Sequence, residues 1–136
     1  LAMLLIDIVP VPKKGLVMRD PPWITAIFAF LVIASCIVPI IIIHCWIWVY
    51  EKVYFSAFGI PHVYFRDYLI IDRGRLSKLN LIQKIACVYC GYGNAVAAWL
   101  KTVANHTELY SCAIQHNKKK LGQEHQSTFA KYDTYS

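Results

Sequence analysis

From Trp23 to Tyr50 the chain runs 28 residues without an Asp, Glu, Lys or Arg, and no polar stripe recurs along it at helical spacing. A helix of that length reaches about 42 Å. It crosses a hydrocarbon core of about 30 Å with turns left over at both interfaces. A helix that is apolar all round must be covered on every side, and a chain of 136 residues offers too little protein to wrap it as a soluble core. The pattern predicts one transmembrane helix over 23–50. Pro21 and Pro22 suit its start, and Trp23, Trp46, Trp48, Tyr50 and Tyr54 fall where amphipathic rings favour the headgroup zone. Pro39 removes a backbone donor inside the span and predicts a bend. A cleaved signal peptide fits poorly, because the apolar run is too long and begins after 22 residues with no small-residue cleavage site.

The flanking segments follow other patterns. Residues 1–22 open with an apolar stretch too short to cross, broken by Asp7, Pro10 and Pro12, and are expected to lie along the interface or against a partner. Residues 51–75 read as a juxtamembrane connector, with a turn at Gly59-Ile60-Pro61, an extended segment over 63–71, and a second turn at Asp72-Arg73-Gly74. Over 76–116, Leu76, Leu79, Ile82 and Ile85 recur at helical spacing, as do Val96, Trp99, Leu100 and Val103. Two helices are expected there, the second capped by Asn94. Residues 117–136 are polar, begin with Lys118, Lys119 and Lys120, and read as a solvated tail. The fold class is thus mainly α: one transmembrane helix and a small helical extramembrane domain with a Cys/His cluster.

Charge changes this picture little. The net charge of +6 and pI near 9.1 could point to nucleic acid, but mean hydropathy is +0.43 and 57% of residues are hydrophobic. Lysines at a membrane surface are better matched by anionic headgroups, so the bilayer is the expected partner and nucleic acid is not. Lys13, Lys14 and Arg19 before the span nearly balance Lys52 and Arg66 after it. Five cysteines tilt the expectation towards a cytoplasmic C-terminal domain. Because the sequence opens on Leu1 rather than Met, further residues are expected upstream.

The sharpest chemical pattern is a C-x2-C pair, Cys87 and Cys90, followed after 21 intervening residues by a C-x3-H pair, Cys112 and His116. Two close pairs suit a tetrahedral ion, and zinc accepts three cysteines and one histidine, with iron the alternative. Gly91 directly after Cys90 permits the tight turn that points amides at thiolates. Such a staple would serve a small domain well. The same Cys87–Cys90 pair could instead exchange disulfides if it sits near a helix end, or the cysteines could be structural disulfides or inert thiols. CVYCGY is similar to half of a rubredoxin knuckle, but the second half does not match. Within the span, His44 is a candidate haem or pigment ligand, although its place beside Trp46 and Trp48 is also that of an interfacial histidine. No phosphate loop, nucleophile elbow or paired-carboxylate arrangement is present, so an enzyme is not the expected reading. His106 and Glu108 read as solvent-facing helix-end residues.

The stretch from Asp67 to His116 resembles a family of uncharacterised bacterial membrane-anchored proteins. The resemblance is carried by Asp67, Tyr68, Asp72, Arg73, Leu79, Asn80, Cys87, Tyr89, Cys90, Tyr92, Asn94, Thr107, Glu108, Tyr110, Cys112 and His116. It departs at Ser111 and Ala113, where that family has tryptophan and proline. What it implies is a bacterial inner-membrane location and a shared Cys/His site, with no activity attached. The expected function is a non-catalytic accessory subunit of a larger integral membrane complex, respiratory, photosynthetic or monooxygenase, capped by a metal-stapled domain. The alternative is a membrane-tethered thiol oxidoreductase or metal-delivery factor using Cys87 and Cys90.

Overall fold

A computed structural model describes residues 21–72, 75 and 77–136. Residues 1–20 of the N-terminal segment expected at the interface, Arg73 and Gly74 of the second turn, and Leu76 lie outside the described residues. A continuous helix runs Trp23–Phe58, long and apolar enough to cross a membrane, and none of its apolar window is buried within the chain. It comprises α1 (Trp23–Ser35), α2 (Ile37–Tyr50), a π-helical turn (Glu51–Phe55) and a closing turn (Ser56–Phe58). The helix thus outruns the apolar stretch. Glu51 and Lys52 end the lipid-compatible sequence without breaking the backbone, and the helix stops only at Gly59, whose φ of 66° is left-handed.

The joint at Cys36 is the predicted effect of Pro39, which has no N–H for the Ser35 carbonyl and crowds it with its ring. Local groups resettle the bonds around it. Cys36 N donates to Ile33 O at 3.2 Å and Ile40 N to Cys36 O at 3.2 Å. The Ser35 hydroxyl donates to Val32 O at 2.6 Å. The Tyr89 hydroxyl, from a distant part of the chain, donates to Ile33 O. Such repair by local groups and a neighbouring segment lets the helix continue through the proline.

Where two helices were expected between 76 and 116, one helix of 31 residues, α3 (Leu81–Ser111), is found. Its cap is Asn80, whose side chain accepts from Gln83 N at 3.0 Å while the Gln83 side chain accepts from Asn80 N at 3.0 Å. Asn94, expected as a cap, sits mid-helix and donates to Cys90 O. Gly91, expected to turn the chain after Cys90, lies inside α3, and so does Gly93. Each costs about 1 kcal/mol in helix propensity, and each sits at a close approach. A Cβ on Gly93 would lie 3.6 Å from Ile40 Cδ1, and one on Gly91 would lie 3.8 Å from Ile70 O. Tertiary packing overrides the local signal.

α3 runs parallel to α1–α2. Ile33 meets Tyr89, Ile40 meets Gly93, His44 meets Tyr92 and Trp99, Tyr50 meets Thr107, and Tyr54 meets Ser111. The expected helical stripe on α3 forms the contact: Val96, Trp99 and Val103 are buried. With Phe55, Ile60 and Val63 they make the core, and Phe55 is fully buried. Parallel helices require the connector to travel back along them. It does so from Gly59 towards Asn80, with Val63 O accepting from Trp99 Nε1 at 2.8 Å and Phe65 seated 5.4 Å from the Trp99 ring.

The expected solvated tail is folded back on α3 instead. Ala130 N donates to Ala113 O at 2.9 Å and Gln115 N to Ala130 O at 2.8 Å, a small bridge between Ile114 and Ala130. Phe129 and Gln126 are buried. Composition concealed this, because few residues of the tail are apolar and the attachment is polar.

Candidate functional site

Cys87 and Cys90 lie in the body of α3, the seventh and tenth of its residues. They line a cavity of about 400 Å3 closed by Ile70, Ile71, Asp72 and Asn94. Cys87 is half-buried and Cys90 exposed, and all five cysteines are free thiols. The unbroken helix decides the fate of the predicted metal set. Cys112 is the residue that ends α3, so 22 residues of helix separate it from Cys90, about 33 Å. His116 follows in the tail, its backbone N donating to Gln126 Oε1 at 3.5 Å. The structure therefore keeps Cys87 and Cys90 apart from Cys112 and His116, and among the described residues no group of three or more His, Cys, Asp or Glu converges on one point.

His44 is the centre of an aromatic box that sequence reading did not foresee. Its Nδ1 is 2.7 Å from the Tyr92 hydroxyl, Phe65 lies 4.3 Å away ring to ring, and Trp99 presents its edge at 5.3 Å. One ring nitrogen is thus engaged by Tyr92, and the ring ties α2 to α3 and to the connector.

Two further polar clusters sit at the same end of the fold. Glu51, 5% exposed, accepts from Val63 N and faces His62 Nδ1 at 3.6 Å, while His62 Nε2 is 3.3 Å from the Ser56 hydroxyl. A buried carboxylate is costly unless hydrogen-bonded, and here it anchors the returning connector to the π-helical turn. Glu108 bonds His125 Nε2 at 2.9 Å and accepts from Gln126 Nε2 at 2.5 Å, which holds the tail. The only advance signal for these was that Glu51 is the first acid after the long uncharged run, and that Glu108 stands among polar helix-end residues.

Because the Trp23–Phe58 helix is long and apolar enough to cross a membrane, a bilayer gives these positions a common scale. A hydrocarbon core of about 30 Å is matched by the 21 residues Trp23–Ile43, with Trp46 and Trp48 just beyond. On that scale the Cys36 joint is near mid-depth. The cavity with Asp72, Cys87 and Cys90 lies level with that joint, since Tyr89 bonds Ile33. Arg66 and Asp67, both well exposed, flank the His44 level. No family model, curated protein or solved structure matches this chain.

Proposed function

We propose that this chain is a non-catalytic accessory subunit of a larger integral membrane complex of the bacterial inner membrane, such as a respiratory, photosynthetic or monooxygenase assembly. Its helix crosses the bilayer over Trp23–Ile43, and the fold around Phe55, Val63 and Trp99 caps the complex on one side. The spanning reading is supported over a cleaved leader by packing: Ile40, His44 and Ile47 are partly buried on the side facing α3, so the apolar run is part of the fold.

One observation carries the proposal. The connector returns alongside the spanning helix, α3 runs parallel to it from Leu81 to about Ala98, and Asp72, an exposed carboxylate, comes level with Cys36. Lipid-exposed irregular backbone does not occur at such depth and a carboxylate there is costly, whereas both are tolerated when covered by protein or a water-filled cavity within it. The exposed Leu81, Ile82 and Ile85 on the same element add apolar surface for that partner. The test is extraction of the native membrane in mild detergent, followed by size and composition analysis. Co-migration with a polytopic membrane protein is expected, and a stable lone monomer in lipid discs would overturn the proposal.

The second reading, thiol exchange or metal delivery through Cys87 and Cys90, is favoured by the cavity those residues line beside Asp72. It requires the pair to be reducible and reachable from water. Loss of function in Cys90→Ser with the fold intact would establish it.

A further inference from the structure

The tail makes a basic loop whose position relative to the spanning helix points to a ligand. Lys118, Lys119 and Lys120 precede Leu121, which is 98% exposed, the most exposed of the large hydrophobic residues among those described. Gly122 turns the chain with φ of 74°, and a Cβ there would lie 3.2 Å from Lys101 Nζ. This contact fixes the depth of the loop. Trp99 meets His44 and Thr107 meets Tyr50, so Lys101 stands about level with Trp46. The loop descends from Glu108, Gln115 and Gln126, which pin its two ends, and its tip reaches the plane of Trp46 and Trp48. A concavity of about 500 Å3 opens beside it, lined by the three lysines, His116, Gln123 and a single acid, Glu124. Among the described residues no ion pair engages any of the three lysines.

We infer that the Lys118–Leu121 loop is a lipid-binding tip: the three lysines and Lys101 hold anionic phospholipid headgroups of the leaflet at Trp46, while Leu121 enters the acyl boundary. The inference rests on the spanning reading of Trp23–Ile43. Cationic side chains around one apolar residue, at headgroup depth and on a polar tether, match an anionic interface better than water does, because Leu121 gains burial only there. The headgroup pocket explains why the tail, polar as it is, is fastened at both ends rather than left free.

The test is amide hydrogen exchange on the full chain in lipid discs, zwitterionic or containing phosphatidylglycerol. Amides of residues 117–123 are expected to exchange at least about tenfold more slowly in the anionic discs, since each lysine near such a surface favours it by about fivefold. Salt at about 0.5 M should erase the difference. Replacing Lys118, Lys119 and Lys120 together by Gln should do the same, with protection of α3 unchanged as the folding control. Equal exchange in both discs, with Trp23–Ile43 still protected, would overturn the lipid tip and leave the span standing. Equal protection by inorganic phosphate in zwitterionic discs would also overturn it, as a phosphate site. Failure of Trp23–Ile43 to stay protected in discs would remove the span and this inference together.

Discussion

Trp99→Phe separates the packing account from a looser one in which α3 merely lies near the spanning helix. Trp99 is 1% exposed, and its indole N–H donates to the carbonyl of Val63, itself buried. Phenylalanine keeps an aromatic ring but strands that carbonyl, which costs about 1 to 3 kcal/mol. The smaller ring leaves a void beside His44 and Phe65, adding about 1 kcal/mol at the usual cost per unit of cavity volume. The total is about 3 kcal/mol. With the apolar α1–α2 helix expected to stay helical in detergent, the loss should appear as an earlier urea transition of α3 and the tail, followed by far-ultraviolet circular dichroism. Trp46→Phe is the comparator, since Trp46 is 75% exposed and should change stability by less than about 0.5 kcal/mol. A Trp99→Phe effect no larger than that of Trp46→Phe would refute the reasoning.

Glu108→Ala should release the tail while leaving α3 in place, at a cost of about 1 to 2 kcal/mol for the lost bonds to His125 and Gln126; limited trypsin digestion at Lys118–Lys120 should accelerate accordingly. Gly93→Ala should be tolerated or mildly stabilising, because its Cβ would meet Ile40 at ordinary contact distance and helix propensity improves by about 1 kcal/mol. Gly93→Leu should weaken the α2–α3 pair by about 2 kcal/mol, both read by thermal unfolding. Cys87→Ser and Cys112→Ser should each shift stability by less than about 1 kcal/mol, since the two lie at separate places on α3; elemental analysis showing one zinc per chain, lost in either variant with several kcal/mol of stability, would contradict this.

The long apolar helix was legible because a run of 28 uncharged residues admits few physical solutions, and the Cys36 joint because Pro39 acts locally on Ser35. The stripe of Val96, Trp99 and Val103 was legible for the same reason, as helical periodicity survives into burial. What the chain did not advertise is non-local. Gly91, read as a turn, and Asn94, read as a cap, form a local break signal, and only the approach of Ile70 to Gly91 and of Ile40 to Gly93 reveals why helix persists there. That one reversal moved Cys112 and His116 away from Cys87 and Cys90, and so dispersed the candidate metal set. The tail misled in the opposite direction, because a polar sequence reads as solvated until Glu108 and Gln126 are seen to bind it. The parallel course of α3, from which the membrane-depth argument follows, depends on pairings such as His44 with Tyr92 that no pattern within either segment encodes.

The central claim is that protein, not lipid, covers the returning segment around Asp72. A photoreactive amino acid placed at Ile71, 53% exposed beside that carboxylate, tests it in the native membrane. Irradiation is predicted to yield an adduct with a polytopic membrane protein, at higher yield than the same probe at Phe28, an exposed position nearer the start of the span. Adducts confined to lipid, or none with the chain still membrane-bound, would contradict the account.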